Sequence, residues 1–163
     1  MIEFQERLLF SPIVIGESHI KTSSEWIERV KDWCLSNGEY SQTGSLTSTF
    51  SSNVQPHEID WIYDTLKQIA PKECFVNSWV QVYEPGGFHP IHNHAGEVDV
   101  KTSGCLFLSK GSSTYFQDPL HRNQSNCNPK ISPGDVILWD PELYHFSPPV
   151  KTERIVLAFN LNE

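Results

Sequence analysis

At Pro71 the hydrophobic period of the chain changes, and this change constrains the fold more than any other feature of the sequence. Before it, apolar residues recur at helical spacing. Ile27, Val30 and Cys34, flanked by Trp26 and Trp33, form an i, i+3, i+7 stripe behind the capping residues Ser23 and Ser24 and ahead of Asn37-Gly38. Ile59, Ile62, Tyr63, Leu66 and Ile69 form a second stripe, closed by Pro71, which has no N–H to continue a helix. After Pro71 the pattern is extended: residues 78–83, 105–108, 113–116, 136–139 and 154–159 are short runs rich in Val, Ile, Leu and aromatics, split by Gly, Pro and Asp turns. Helices followed by several short strands predict a mainly β fold, a jelly-roll-type core with helices packed outside it.

With 163 residues and no repeat or linker, the chain reads as one domain, a helical part over about 1–75 and a β core over about 76–163. The Ser/Thr-rich stretch 41–56, where Phe50 is the one aromatic side chain, predicts an irregular loop of the kind that forms lids. Phe50 and Trp61 are candidate substrate-facing aromatics, with core packing as the competing role of each. The net charge of −8, with twelve scattered Lys and Arg, argues against a nucleic-acid partner. No apolar run reaches the ~20 residues of a membrane span, and Glu3, Glu6 and Arg7 stand where a signal peptide would be apolar, so a soluble, cytoplasmic protein is expected. Cys34, Cys74, Cys105 and Cys127 are too far apart for a C-x-x-C zinc half-site and read as reduced thiols, Cys105 as a small core residue.

Chemistry concentrates in the histidines. His89, His92 and His94 crowd into one short segment, and on an extended chain residues two apart share a face, so His92 and His94 can aim both imidazoles at one point. His145 follows beyond the run 136–139, where a third ligand can return to that point. His89, offset by three, points off the shared face. Imidazoles suit zinc, copper, nickel and iron, and the lack of a nearby thiolate argues for an open site that does chemistry rather than a closed structural zinc.

The stretch from Trp79 through Tyr83, Glu84-Pro85-Gly86-Gly87 and His89 to His92 and His94, then Ser103-Gly104, Pro133-Gly134-Asp135, Trp139, His145 and Arg154 through Asn160, resembles the Fe(II)/2-oxoglutarate-dependent oxygenases, most nearly their short prolyl-hydroxylase-like branch of bacteria and phages. The resemblance spans roughly 77–161. It implies a double-stranded β-helix, cupin-like in architecture, with Fe(II) held by a His-x-acid pair and a distal His, and 2-oxoglutarate chelating the metal as cosubstrate. It further implies that Arg154, nine residues after His145, pairs with the far carboxylate, as a guanidinium fork suits. Tyr83 matches a tyrosine of the pattern that assists the cosubstrate.

Two departures stand out. His94 occupies the position where the family usually has a carboxylate, so the expected metal set is His92, His94 and His145, with Glu97 or Asp99 as alternative third ligands. Leu106-Phe107-Leu108 lacks the tyrosine that often holds the cosubstrate tail, and Thr114, Tyr115 or Asn160 are possible substitutes. The implied activity is hydroxylation of an unactivated C–H bond, of a prolyl or other amino-acid side chain, in a small molecule or a peptide. Two rivals remain at this point: a cupin-type three-His dioxygenase that does not use 2-oxoglutarate, and a non-catalytic β-barrel binding module.

Overall fold

The computed structural model describes residues 2–10, 13–111, 113–121, 124–127 and 131–163. In chain order its elements are β1 (Gln5–Phe10), β2 (Ile13–His19), α1 (Ser24–Asn37), β3 (Glu39–Ser41), β4 (Leu46–Ser48), α2 (Asp60–Leu66), β5 (Phe75–Tyr83), β6 (His89–His92), β7 (Thr102–Phe107), β8 (Tyr115–Gln117), β9 (Ser125–Cys127), β10 (Asp135–Trp139), β11 (His145–Ser147) and β12 (Arg154–Leu161). They form an eight-stranded sheet in the order β1-β2-β10-β7-β12-β5-β4-β3 and a four-stranded sheet in the order β6-β11-β8-β9.

Strand alternation divides the large sheet into two faces. Val80 and Val82 of β5, with Ile155, Leu157, Phe159 and Leu161 of β12, pack with Ile27, Val30 and Cys34 of α1 and Ile62 and Leu66 of α2. The helices therefore cover that face, as their stripes required. On the other face Tyr83, Cys105, Phe107, Ile137, Trp139 and Val156 form a second apolar cluster with Phe116 of the small sheet. Two antiparallel sheets enclosing a core, one backed by helices, make the double-stranded β-helix, and the metal-ligand candidates sit where the second face opens.

Ser23 caps α1 by accepting from the Trp26 N–H at 3.1 Å, so the predicted start holds. α2 ends at Leu66, earlier than its stripe suggested. The part expected to be helical, about 1–75, also supplies strands β1 to β4 to the large sheet. Ser11-Pro12 interrupts the apolar run of the sequence between β1 and β2, which hides their period, and β2 pairs with β1 on one side and β10 on the other. The stretch 41–56 is likewise not simply an irregular loop: Leu46 pairs with Tyr83 in the β4–β5 ladder, and the buried Thr49 hydroxyl accepts from the Val80 N–H at 2.9 Å. Backbone pairing and buried threonines hold this segment, neither of which leaves a hydrophobic period. No helix among the described residues is long and apolar enough to cross a membrane.

Candidate metal centre

The ladder between β6 and β11 places His92 directly opposite His145, with ring centroids 4.2 Å apart. The chain leaves β6 after His92. The His94 N–H donates to the Pro141 carbonyl at 2.8 Å, and this bond ties the third histidine to the segment leading into β11. One ring nitrogen from each of His92, His94 and His145 lies within 4.8 Å of the others. Ligands ~2.1 Å from one ion are separated by up to about 4.2 Å, so a small closing movement brings all three onto a single metal.

Each ring is oriented from behind. His92 Nδ1 lies 3.0 Å from the Pro90 carbonyl, His145 Nδ1 3.0 Å from the Leu143 carbonyl, and His94 Nδ1 2.6 Å from Glu97 Oε1. These oxygens accept, so the Nδ1 atoms donate, and in the neutral rings the lone pair is left on Nε2. Burial pushes His145 down to about 3 and lowers His92, with the neighbouring imidazoles acting in the same direction. Three imidazoles whose Nδ1 atoms are engaged from behind suit a divalent metal through Nε2, and they lack the anionic ligand that the resemblance implied.

The other candidates fall as follows. Glu97 is hydrogen-bonded to His94 on the side away from Nε2, so it stands behind the triad rather than in it. Asp99 is exposed and outside the group. The offset of His89 predicts that it turns away, yet its ring lies 4.4 Å from that of His92; it lines the pocket but does not join the group. Asn160, fully buried, is engaged by Glu97 and Ser103, whereas Tyr115 packs on Phe146 and does not line the pocket. Among the described cysteines, Cys34, Cys74 and Cys105 are free and buried. Burial pushes the Cys34 and Cys105 thiols up to about 12, which removes Cys105 as a nucleophile although it lines the pocket. The Cys127 side chain lies outside the description.

Arg154 opens β12 and is 4 % exposed. Its Nη2 donates to Thr114 Oγ1 at 3.1 Å, and its guanidinium carbon lies 4.8 Å from the centre of the Tyr83 ring, its cross-strand neighbour. Tyr83 and Thr114 both line the histidine pocket, a space of about 460 Å³ counted with its open mouth. The Tyr83 hydroxyl donates to Gln81 Oε1 at 2.8 Å. Trp139, with its ring 4.9 Å from that of His145, adds a buried Nε1–H that has no acceptor among the described residues. The pocket thus sets the hydroxyls of Tyr83 and Thr114 beside three histidines that could hold a metal, with the Arg154 guanidinium directly behind those two residues, an arrangement suited to an anion that also reaches a metal.

A second groove of about 1080 Å³ meets the centre at His92 and His94 and is walled by Leu46, Phe50, Trp79 and Phe88. Phe50, 61 % exposed, stands edge-on to Trp79 with ring centroids 5.1 Å apart. Trp61 instead lies against the helical cluster beneath the Arg29 guanidinium, so packing is its role. Sequence reasoning had not found the Glu97–Asn160–Ser103 chain behind His94. Its one visible sign is an acid three residues after a histidine.

No protein-family model matches the chain, and no curated protein matches it in sequence. Solved structures do match in shape. A prolyl-4-hydroxylase from Pseudomonas putida superposes with a TM-score of 0.63 at 10% identity, over 94% of this chain and 95% of that one. HygX from Streptomyces hygroscopicus, solved with nickel and 2-oxoglutarate bound, gives 0.62 at 10% identity, over 93% and 83%. The non-heme α-ketoglutarate-dependent epimerase SnoN gives 0.65 at 9% identity, over 90% and 76%. The chain therefore has the double-stranded β-helix fold of the Fe(II)- and 2-oxoglutarate-dependent oxygenases.

Proposed function

We propose that the protein is an Fe(II)- and 2-oxoglutarate-dependent dioxygenase that hydroxylates an unactivated C–H bond. The observation that carries this reading is the convergence of His92, His94 and His145 in a pocket whose lining includes Tyr83 and Thr114, the neighbours of the buried Arg154. In this reading His92, His94 and His145 hold Fe(II) through Nε2, and Arg154 with Thr114 binds the far carboxylate of 2-oxoglutarate. Bound Fe(II) and 2-oxoglutarate supply the activation of O₂.

The chain's own residues bind, orient and exclude water. Arg154 offers a planar fork of donors, and its burial strengthens each hydrogen bond to a carboxylate by removing competing water. Tyr83 walls the guanidinium from one side and fixes the orientation of the fork. Phe116 and Trp139 pack against His145 and keep that side of the centre dry. The groove walled by Phe50, Trp79 and Phe88 leads a side chain to the remaining face of the centre, which supports an amino-acid side chain, prolyl or other, free or in a peptide, as substrate.

The three-histidine donor set favours a second reading, a cupin-type dioxygenase without 2-oxoglutarate. The position of Arg154 favours the first. The test is succinate release from 2-oxoglutarate by Fe(II)-loaded protein in air. We expect slow release without added substrate, dependent on Fe(II) and lost in His145→Ala. An absence of succinate, with iron bound, leaves the cupin-type reading; an absence of both leaves a binding module.

A further inference from the structure

The three histidines bring no charge to a divalent cation, yet a carboxylate stands directly behind one of them. Glu97 Oε1 accepts from His94 Nδ1 at 2.6 Å, a distance typical of charge-assisted hydrogen bonds. Its other oxygen accepts from Asn160 Nδ2 at 3.2 Å, and Asn160 Oδ1 in turn accepts from Ser103 Oγ at 2.7 Å. Asn160 and Ser103 are opposite each other in the β12–β7 ladder and are buried, so the far end of this chain is anchored in the large sheet. The near end depends on a tight turn. The Glu97 N–H donates to the His94 carbonyl at 3.2 Å, and Gly96 between them has φ +83°, in the left-handed region that favours glycine. Nothing lies within 4 Å of a Cβ built on Gly96, so backbone conformation rather than space calls for glycine there.

We propose that Glu97 completes the metal centre from behind, as the positioning residue that fixes the His94 ring and supplies, through its hydrogen bond, the negative charge that the three imidazoles lack. The inference rests on the reading of His92, His94 and His145 as metal ligands. A carboxylate that draws on the Nδ1 proton makes Nε2 more basic and a better ligand, and such outer partners are worth 10- to 100-fold in metal affinity in other sites, by order of magnitude. The carboxylate usual among the ligands of this fold is thus kept one bond further out. Asn160 and Ser103 hold Glu97 against His94 and keep it from swinging round to ligate.

The test is anaerobic titration with Co(II) alone, followed by its visible spectrum. Glu97→Gln keeps an acceptor for His94 Nδ1 and removes the charge; we expect affinity roughly 10- to 100-fold weaker and a shifted Co(II) spectrum. A merely structural role would leave Glu97→Gln unchanged and weaken only Glu97→Ala, which would overturn the inference. In a His94→Asp background the Nδ1 hydrogen bond through which Glu97 acts is gone, so Glu97→Gln should cost Co(II) affinity much less than it does in the wild type. Equal losses in both backgrounds would make Glu97 itself a ligand and overturn the inference. Wild-type protein that binds no Co(II) would overturn the metal centre and this inference together, whereas metal binding indifferent to Glu97→Gln overturns the inference alone.

Discussion

Lowering the pH should destabilise the metal-free protein through His145 in particular. In an unfolded chain its imidazole protonates near 6.5, whereas burial and the neighbouring imidazoles hold it at about 3 in the fold. Between these values the unfolded state binds the extra proton, so stability is full above the unfolded value and is lost as pH falls through the window toward 3. From pH 7 to pH 5 the linkage integral for this one residue is about 2 kcal/mol, a large share of the ~5–15 kcal/mol typical of a domain. His57, His89 and His92, each lowered chiefly by burial, act with the same sign. The assay is urea unfolding of wild type and His145→Ala at both pH values in the presence of a chelator, with equal slopes confirming a common unfolded state. His145→Ala should lose about 2 kcal/mol less than wild type over the same step. Losses equal to within ~0.5 kcal/mol would refute the claim that His145 is buried neutral.

Arg154→Ala should weaken 2-oxoglutarate binding by about 1.5–3 kcal/mol, roughly 10- to 150-fold, while Co(II) affinity stays unchanged; equilibrium dialysis under nitrogen measures the first and the Co(II) spectrum the second. Leu157→Ala, in the cluster beneath the helices, should cost about 2–5 kcal/mol in urea unfolding and leave metal stoichiometry intact, since Leu157 is fully buried on the face opposite the pocket. Gly104→Ala should cost about 1–3 kcal/mol. A Cβ there would lie 2.6 Å from Leu138 Cδ2 and still closer to the Phe159 ring, and a Tm equal to wild type would contradict that packing.

What the sequence disclosed and what it hid follow from the range of the interactions. The stripe Ile27, Val30, Cys34 predicts α1 because helix formation and capping are local, and the five runs after Pro71 coincide with β5, β7, β8, β10 and β12 for the same reason. The closeness of His92 and His94 with His145 downstream anticipated the cluster, although by a different route from strand alternation: His94 lies beyond the end of β6 and is placed by its N–H bond to the Pro141 carbonyl. β2 was not legible: Ser11-Pro12 breaks the apolar run that it shares with β1, and its other neighbour, β10, is more than a hundred residues away. β6 and β11 are so short that no period develops, although they carry His92 and His145. The role of Glu97 depends on a left-handed turn at Gly96 and on the pairing of β7 with β12, and neither is written in local composition.

The central claim is that a metal held by His92, His94 and His145 and the guanidinium of Arg154 bind one ligand together. Anaerobic calorimetry of 2-oxoglutarate injected into Fe(II)-loaded and metal-free protein tests it most directly. The account predicts one site per chain in the loaded protein and binding that is at least ten-fold weaker without metal, because only the Arg154 end then remains. No heat of binding in the loaded protein, or equal affinity with and without Fe(II), would contradict it.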